Sequence, residues 1–482
     1  MTQPGPSRNR TGAGARDRVA RVLANEALVV VGLLAVVFLT YLFRLGDVVV
    51  ADMDEGTYLY AGKLIAAGSV PFRDFMFGHP PVIAYLTAAW IQLFGSDVMA
   101  ARIAYAVLVL ASTVPLYVLA RSLARSRLAG LLAVGSYTTG MLLVANMGRT
   151  IRLEPVMNAA LIGAFALLLL GAREPRRGVI GGALLGVGTM IKLVAVLPIG
   201  SLFLAQAIWM RGGLWRRWAA IAVGLGAIVV PSLVGLLFVP HFVDDVLIAQ
   251  LERPGLPLVT RWAFVVQDFV RDPLIPLGLV AAVWLVFRSS DARVRAVSFT
   301  ALASGVALVA VFRTFFGYYL VQVLPWLSIA LAVAGAELAR RIDRPAVMRA
   351  IAGAAVLLVT VIPLAYDEVY YRTAHDHVAS AKAIAAALED GSGPVYSMYP
   401  SFALWSDRDA CGSYYVADSL LGRITGRLGP ENLIAWFSSC TTLVLWAGEL
   451  DGYPTVATYV SRNFSLEVTN ADYALWTKKP GP

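Results

Sequence analysis

Charge is scarce in this chain and cysteine is almost absent. Of 482 residues, 15% are charged and two are cysteine, Cys411 and Cys440, which excludes a cysteine-built metal site and a disulfide-rich framework. No glycine-rich nucleotide loop, paired-cysteine motif or Ser/His/Asp signature occurs, so nucleotide-binding and triad chemistry have no footing here. Neither an internal repeat of the kind that marks two-fold transporters nor a small-residue cleavage site after the first apolar run is present. Hydrophobic residues fill the space instead, at 58% of the chain and a mean hydropathy of +0.70, beyond the range of soluble globular domains. The chain is therefore expected to be a polytopic, largely helical membrane protein. Its net charge of +9 resides in short arginine clusters between apolar runs rather than on one stripe, which suits topology-setting loops and argues against a nucleic-acid partner.

Apolar runs of spanning length lie near 27–45, 98–120, 128–146, 154–172, 219–240, 274–288, 296–312, 320–339 and 350–366. A further stretch, 179–210, is interrupted only by Lys192 and reads as two short spans meeting there, for a total of about eleven. Basic residues 8–21 precede the first run, which reads as a retained signal anchor behind a cytoplasmic tail of residues 1–26. The clusters at 121–127, 173–177, 211–217, 288–295 and 340–349 all fall on the cytoplasmic side under this count. That agreement requires that 80–94 not cross. Pro80 and Pro81 at its start and Gly95 at its end suit a helix lying on the outer surface or partly re-entering.

The same threading puts segments 46–97, 147–153, 241–273 and 313–319 at the outer face, with Lys192 between two short spans. The membrane region is thus 27–366, and the tail 367–482 forms a small extracytoplasmic α/β domain with strand-like runs Pro394–Met398, Thr441–Trp446 and Asp472–Thr477. Its oxidising location favours a disulfide between Cys411 and Cys440, although their distance in space is not legible in sequence.

Three carboxylates, Asp52, Asp54 and Glu55, crowd the helix start that follows the first span. Capping explains one acid, with Asp54 as N-cap and Glu55 in the first turn. A general base explains a cluster, because neighbouring acids raise a carboxylate toward the working range. Arg73, His79, Arg149, Arg152 and Glu154 follow on outer loops, and Arg313, Tyr318 and Tyr319 on another. For His79 a surface position is the default, and a metal ligand or phosphate contact the functional alternative. Glu154 before Pro155 also suits a helix start, and Lys192 suits snorkelling as well as function. Cations around an outer acid fit an anionic lipid headgroup, and an enzyme facing outward needs a donor available there. A transporter or flippase of a lipid-linked saccharide is the alternative. It would spread its charges along the membrane depth, whereas these gather at outer ends. A non-catalytic scaffold leaves the clustering unexplained.

Asp54-Glu55-Gly56-Thr57-Tyr58, His79-Pro80-Pro81, Arg152-Leu153-Glu154-Pro155, Ile191-Lys192-Leu193 and Arg313 to Tyr319 ahead of Leu324-Pro325, taken in order over roughly 45–345, resemble the GT-C membrane glycosyltransferases of family 39. These include protein O-mannosyltransferases and lipid A aminoarabinose transferases. The resemblance implies a GT-C-like helical bundle with outer juxtamembrane helices and a polyprenyl-phosphate sugar donor. It also implies a glycan, lipid or protein acceptor, and inverting transfer at the outer face of the cell membrane. On it, Asp54 is the catalytic base with Glu55 beside it, an outer acid resembling Glu154 helps form the site, and Lys192, Arg152 and Arg313 offset phosphate charge. Two departures, Glu154 for the more usual Asp and Gly317 where relatives often carry His, bear on the donor and on any divalent metal, for which Glu154 and His79 are the candidate ligands.

Overall fold

The computed structural model describes residues 53–341 and 377–480, except 144–146, 148, 172, 173 and 314, together with scattered positions between 28 and 45 and between 365 and 369. Asp52, the basic N-terminal tail and most of the expected span at 350–366 lie outside the described residues.

Two helices open the described chain, α1 (Met53–Ala66) and α2 (Val82–Phe94), packed on one another. With 13 residues, α2 is about 20 Å long, short of the ~30 Å apolar core of a bilayer. It also exposes Tyr85, Leu93 and Phe94, as a surface helix would. The bundle follows as α3 (Val98–Ala124), α4 (Arg127–Leu143), α5 (Leu153–Leu170), α6 (Pro175–Ile191), α7 (Val196–Trp209) and α8 (Leu214–Leu237). After a loop come α9 (Leu258–Arg271), α10 (Leu274–Arg288), α11 (Ala292–Val311) and α12 (Leu324–Ala339). Two of these helices start on a side-chain cap. Asp97 caps α3 by accepting from the amides of Met99 at 2.7 Å and Ala100 at 3.3 Å, and Asp291 caps α11 from Arg293 at 2.9 Å. Between α6 and α7 the helix breaks at Lys192, whose backbone is extended, as its isolated charge suggested.

Among the described residues, nine helices coincide with expected spans: α3 to α8 and α10 to α12. Of these α3, α5, α8 and α11 are long and apolar enough to cross a membrane by themselves, and α9 with α10 qualify only as a pair bent by 99°. The expectation of about eleven crossings therefore rests on charge pattern rather than helix length. In the expected outer segment, α9 is amphipathic and exposes Leu258, Val259, Trp262, Val266 and Val270, the apolar stripe of a helix lying at an interface.

Glycine sets the closest packing. A Cβ on Gly182 of α6 would stand 2.9 Å from the Ile221 carbonyl carbon of α8, and one on Gly224 of α8 2.8 Å from the Val179 carbonyl carbon of α6. Backbones at that separation give dense van der Waals contact without relying on a hydrophobic effect that lipid does not supply. The bundle's ends differ chemically. Arg340, after α12, bonds the carbonyl of Ala124 at the end of α3, and Arg341 lies 5.7 Å from the Trp284 ring, so basic turns gather at the end opposite Asp54.

The C-terminal domain holds a four-stranded sheet ordered β1-β2-β4-β3, with β1 (Val395–Ser397) parallel to β2 (Thr442–Trp446) and the pairs β2–β4 and β3–β4 antiparallel. The strand missed by sequence is β3 (Phe464–Thr469), an edge strand largely open to solvent, whose Ser465 and Glu467 dilute the apolar alternation. Its partner β4 (Tyr473–Lys478) lies where expected. Cys411 and Cys440 form a disulfide, with Cα atoms 5.2 Å apart. Helix α13 (Ser401–Trp405) seats this domain on α1, where a Cβ on Gly56 would stand 2.8 Å from the Ser401 amide nitrogen. Lys63 with Asp409 at 3.1 Å and the Tyr60 hydroxyl with the Ala410 amide at 2.8 Å extend the contact.

Candidate functional site

Asp54 stands in the first turn of α1, and its Oδ2 accepts from Nη1 of Arg152, the residue that leads into α5. Two residues on, in the first turn of α5, Glu154 binds the Lys192 ammonium, brought there by the break between α6 and α7. The two pairs share an aromatic wall, because Arg152 lies 5.4 Å from the Tyr318 ring and Lys192 4.4 Å from the Tyr319 ring. Tyr58, buried on α1, lies in the fields of Asp54, Glu154 and Arg152. Five positions singled out from sequence thus meet Asp54 at one end of the bundle: Arg152, Glu154, Lys192, Tyr318 and Tyr319.

The electrostatics of Asp54 differ from the sequence expectation. Burial raises its pKa, but Arg152, with Lys192 and Arg253 behind it, holds it below the ordinary carboxylate value. Neighbouring acids do not govern it, because Glu55 faces elsewhere and a guanidinium is the nearest charge. His79 is half-buried beside Tyr58 and Phe77, with ring centroids 6.0 and 6.2 Å away. Burial, then Lys192 and Arg253, push it down to about 3 against the pull of Asp54, so its imidazole is neutral at physiological pH.

Other expected residues are placed elsewhere. Glu55 is buried in an ion pair with Arg102, whose Nε donates to Oε1 at 2.9 Å and to Oε2 at 3.1 Å, and it accepts the Ile151 amide at 3.1 Å. It ties α1, α3 and the 149–152 loop together. Arg73 is exposed and paired with Asp74 at 2.8 Å, Arg149 is fully buried, and Arg313 is exposed beside Gly255. At Gly317 the absent side chain leaves room for Asp268, whose carboxyl carbon would lie 2.9 Å from a Cβ there. As for a metal, Glu154 is occupied by Lys192, and His79 sits among aromatic rings in the field of two cations. No group of three or more His, Cys, Asp or Glu that could hold a metal exists among the described residues. The described residues at this site do not fit a divalent ion.

Three participants were not singled out from sequence. Arg253 acts on Asp54, His79 and Asp418. Asp418 and Tyr399 come from the C-terminal domain, more than 340 residues from Asp54 in sequence. Asp418 accepts the Leu421 amide at 3.1 Å and the Gly78 amide, while Gln250 donates to the Gly78 carbonyl at 2.6 Å. Gly78 is thus gripped on both sides immediately before His79.

Residues 78–235 match the family described as dolichyl-phosphate-mannose-protein mannosyltransferase. No curated relative matches the chain by sequence. In structure it is similar to ArnT from Cupriavidus metallidurans bound to undecaprenyl phosphate, with a TM-score of 0.63, 17% identity, and 93% of this chain and 97% of that one covered. The apo state of the same protein gives 0.65, 18%, 94% and 98%. The fold is that of GT-C glycosyltransferases. Archaeal oligosaccharyltransferase AglB from Archaeoglobus fulgidus, in complex with an inhibitory peptide and a dolichol-phosphate, matches at a TM-score of 0.53 and 11% identity, over 93% of this chain and 74% of that one. The GT-C fold accounts for the site's position, where loops from α1, α5, α6–α7 and α11–α12 converge on one end of the bundle. The chemistry has to be argued from the residues there.

Proposed function

We propose that this protein is an inverting glycosyltransferase of the cell membrane that moves a hexosyl or pentosyl unit from a polyprenyl-phosphate carrier to an acceptor hydroxyl at the outer face, with the N-terminus cytoplasmic and the C-terminal domain outside. The observation that carries it is the acid Asp54 in contact with Arg152, beside Lys192, Tyr318 and Tyr319. A carboxylate takes a proton from a nucleophile, while cations stabilise a leaving phosphate. ArnT bound to undecaprenyl phosphate and AglB with a dolichol-phosphate support a lipid-phosphate donor, and the matched mannosyltransferase family supports sugar as the transferred group.

In the resting site Arg152 neutralises Asp54. An arriving donor phosphate competes for the guanidinium and frees the carboxylate to accept a hydrogen bond from the acceptor hydroxyl. That oxygen attacks the anomeric carbon as its proton passes to Asp54, and the bond from that carbon to the phosphate oxygen breaks, its electron pair leaving on the carrier phosphate. Lys192 and Arg152 offset the charge. Glu154 holds Lys192 in place, Glu55 holds the backbone of the Arg152 loop, and His79, being neutral, supplies shape and hydrogen bonding rather than charge. The acceptor is a glycan, lipid or protein hydroxyl in this scheme.

The test is transfer of labelled sugar from a panel of polyprenyl-phosphate sugars in membranes carrying the wild type or Asp54→Asn. Loss of about 10²–10⁴-fold in transfer, with undecaprenyl phosphate binding retained, is expected. Full transfer by Asp54→Asn rejects the base, and movement of lipid-linked sugar across the bilayer without transfer points to a flippase.

A further inference from the structure

Backbone that is not helical has carbonyls to satisfy, and within a membrane bundle only other protein groups can do so. Two buried polar side chains of the bundle serve the backbone of the site in this way. Asn158 of α5 is fully buried and lies four residues after Glu154, one turn on along the same face of that helix. Its Nδ2 donates to the Val321 carbonyl at 2.9 Å, with the Tyr137 hydroxyl of α4 3.5 Å from the same nitrogen. Val321 belongs to the 3₁₀ turn Gly317–Gln322, which carries Tyr318 and Tyr319. Tyr105 of α3 is fully buried as well. Its hydroxyl donates in a shared bond to the carbonyls of Met147 and Arg152, each at 3.2 Å, so it grips the loop that leads into α5 at two points.

These bonds act on the two cations through their partners. Glu154 takes the Lys192 ammonium, and one turn further Asn158 takes the backbone that carries Tyr319, whose ring stands 4.4 Å from that ammonium. One helix thus sets both the charge partner and the ring of Lys192. The Arg152 guanidinium meets Asp54 and lies 5.4 Å from the Tyr318 ring. Tyr105 holds the backbone of Arg152, and Asn158 holds the turn that bears Tyr318. An amide and a phenol anchor these carbonyls without adding charge beside cations that have a phosphate to receive.

We infer that Asn158 and Tyr105 are positioning residues for the carrier phosphate: they fix the backbone behind Tyr318 and Tyr319 and behind Arg152, and so set the spacing at which Arg152 and Lys192 hold that phosphate. The inference rests on the reading of these two cations as the phosphate site. Neither residue is assigned a step in the transfer.

Full-length protein in lipid nanodiscs carrying Asn158→Leu or Tyr105→Phe tests this, with Thr300→Val as the control. All three replacements nearly keep the side chain's shape and remove a buried neutral hydrogen bond, that of Thr300 being to the Ala296 carbonyl of its own helix, α11, at 2.9 Å. Undecaprenyl phosphate should bind about 3–10-fold more weakly to each of the first two variants and as tightly as to wild type in Thr300→Val, although the melting temperature falls in all three. In transfer assays the donor KM should rise by the same factor with kcat nearly unchanged, the mark of lost ground-state binding. Wild-type affinity in both Asn158→Leu and Tyr105→Phe overturns the inference. So does weaker binding in all three variants in step with their loss of stability, which would assign these bonds to the bundle alone. A wild type that binds undecaprenyl phosphate but transfers no sugar, with binding weakened in the two variants, upholds the positioning and rejects the transferase reading. A wild type that does not bind undecaprenyl phosphate rejects both.

Discussion

A carboxylate in contact with a guanidinium is a poor base until the guanidinium is drawn elsewhere. Asp54 is in that position, with a pKa below the ordinary value, so its ionised form persists at pH values where a free aspartate, near 3.9, is half protonated. The acid limb of kcat/KM, which reports the free enzyme, is expected below about pH 4; a limb centred near 6 would assign the proton to another group. Its neighbour Glu55 has a different fate, closed against Arg102 where neither is exposed. Removing one partner leaves an uncompensated buried charge at roughly 3–5 kcal/mol. Arg102→Met should therefore unfold at much lower temperature than Glu55→Gln/Arg102→Met, and a double variant no more stable than the single would show that the pair is not coupled.

Elements explain why part of this was legible from sequence and part was not. The strands ending at Trp446 and Thr477 and the break at Lys192 announce themselves, because alternation and a lone charge in an apolar run are local signals. The order of motifs from Asp54 to Tyr319 singled out residues that the fold brings together. Arg253 was hidden because nothing in Glu252-Arg253-Pro254 distinguishes it from a loop arginine. Arg102 was hidden because one charge near the start of an apolar helix looks like an interfacial anchor, until Glu55 is found against it. Gly56 gave no sign of the Ser401 backbone pressed on it, nor Gly78 of the Leu421, Asp418 and Gln250 side chains around it, since these arrive from distant parts of the chain. The loop 241–253 is likewise held by a distant element through Asp245. Burial lifts Asp245 to about 6 against hydrogen bonds from Tyr414 and the Phe77 amide, so the folded protein holds that proton more tightly than the unfolded chain. The stabilisation is complete below the unfolded value of about 3.9 and is lost as pH rises through about 6. Amides of 72–79 and 244–252 should exchange faster at pH 7.5 than at pH 5 once intrinsic rates are corrected, and Asp245→Asn should erase the difference.

At the scale of the whole molecule, the basic turns collect at one end and the candidate site at the other, with a disulfide-bonded domain on the side of the site. On the proposed orientation the disulfide lies in an oxidising compartment and the basic turns in the cytoplasm. Single cysteines introduced at Ser290 or Gly212, in the Cys411→Ser/Cys440→Ser background, should resist a membrane-impermeant maleimide in intact cells. One at Ser461, exposed on the C-terminal domain, should react. Labelling in the reverse pattern would invert the molecule. In the otherwise unaltered protein, reduction of Cys411–Cys440 should cost about 2–4 kcal/mol, read as a lower melting temperature of the C-terminal domain.

The seating of Ser401 on Gly56 also has a meaning in time. The ribosome makes Asp54 about 345 residues before Tyr399, roughly 20–70 s earlier at bacterial rates of synthesis. Throughout that interval the growing protein has its acid and its cations in the membrane but not the C-terminal domain. On the proposed orientation the contact of Ser401 with Gly56 forms only when the last quarter of the chain has been exported, oxidised and folded down onto α1. A chain truncated before residue 399 would keep Asp54, Arg152 and Lys192 but lack the segment that seats on α1.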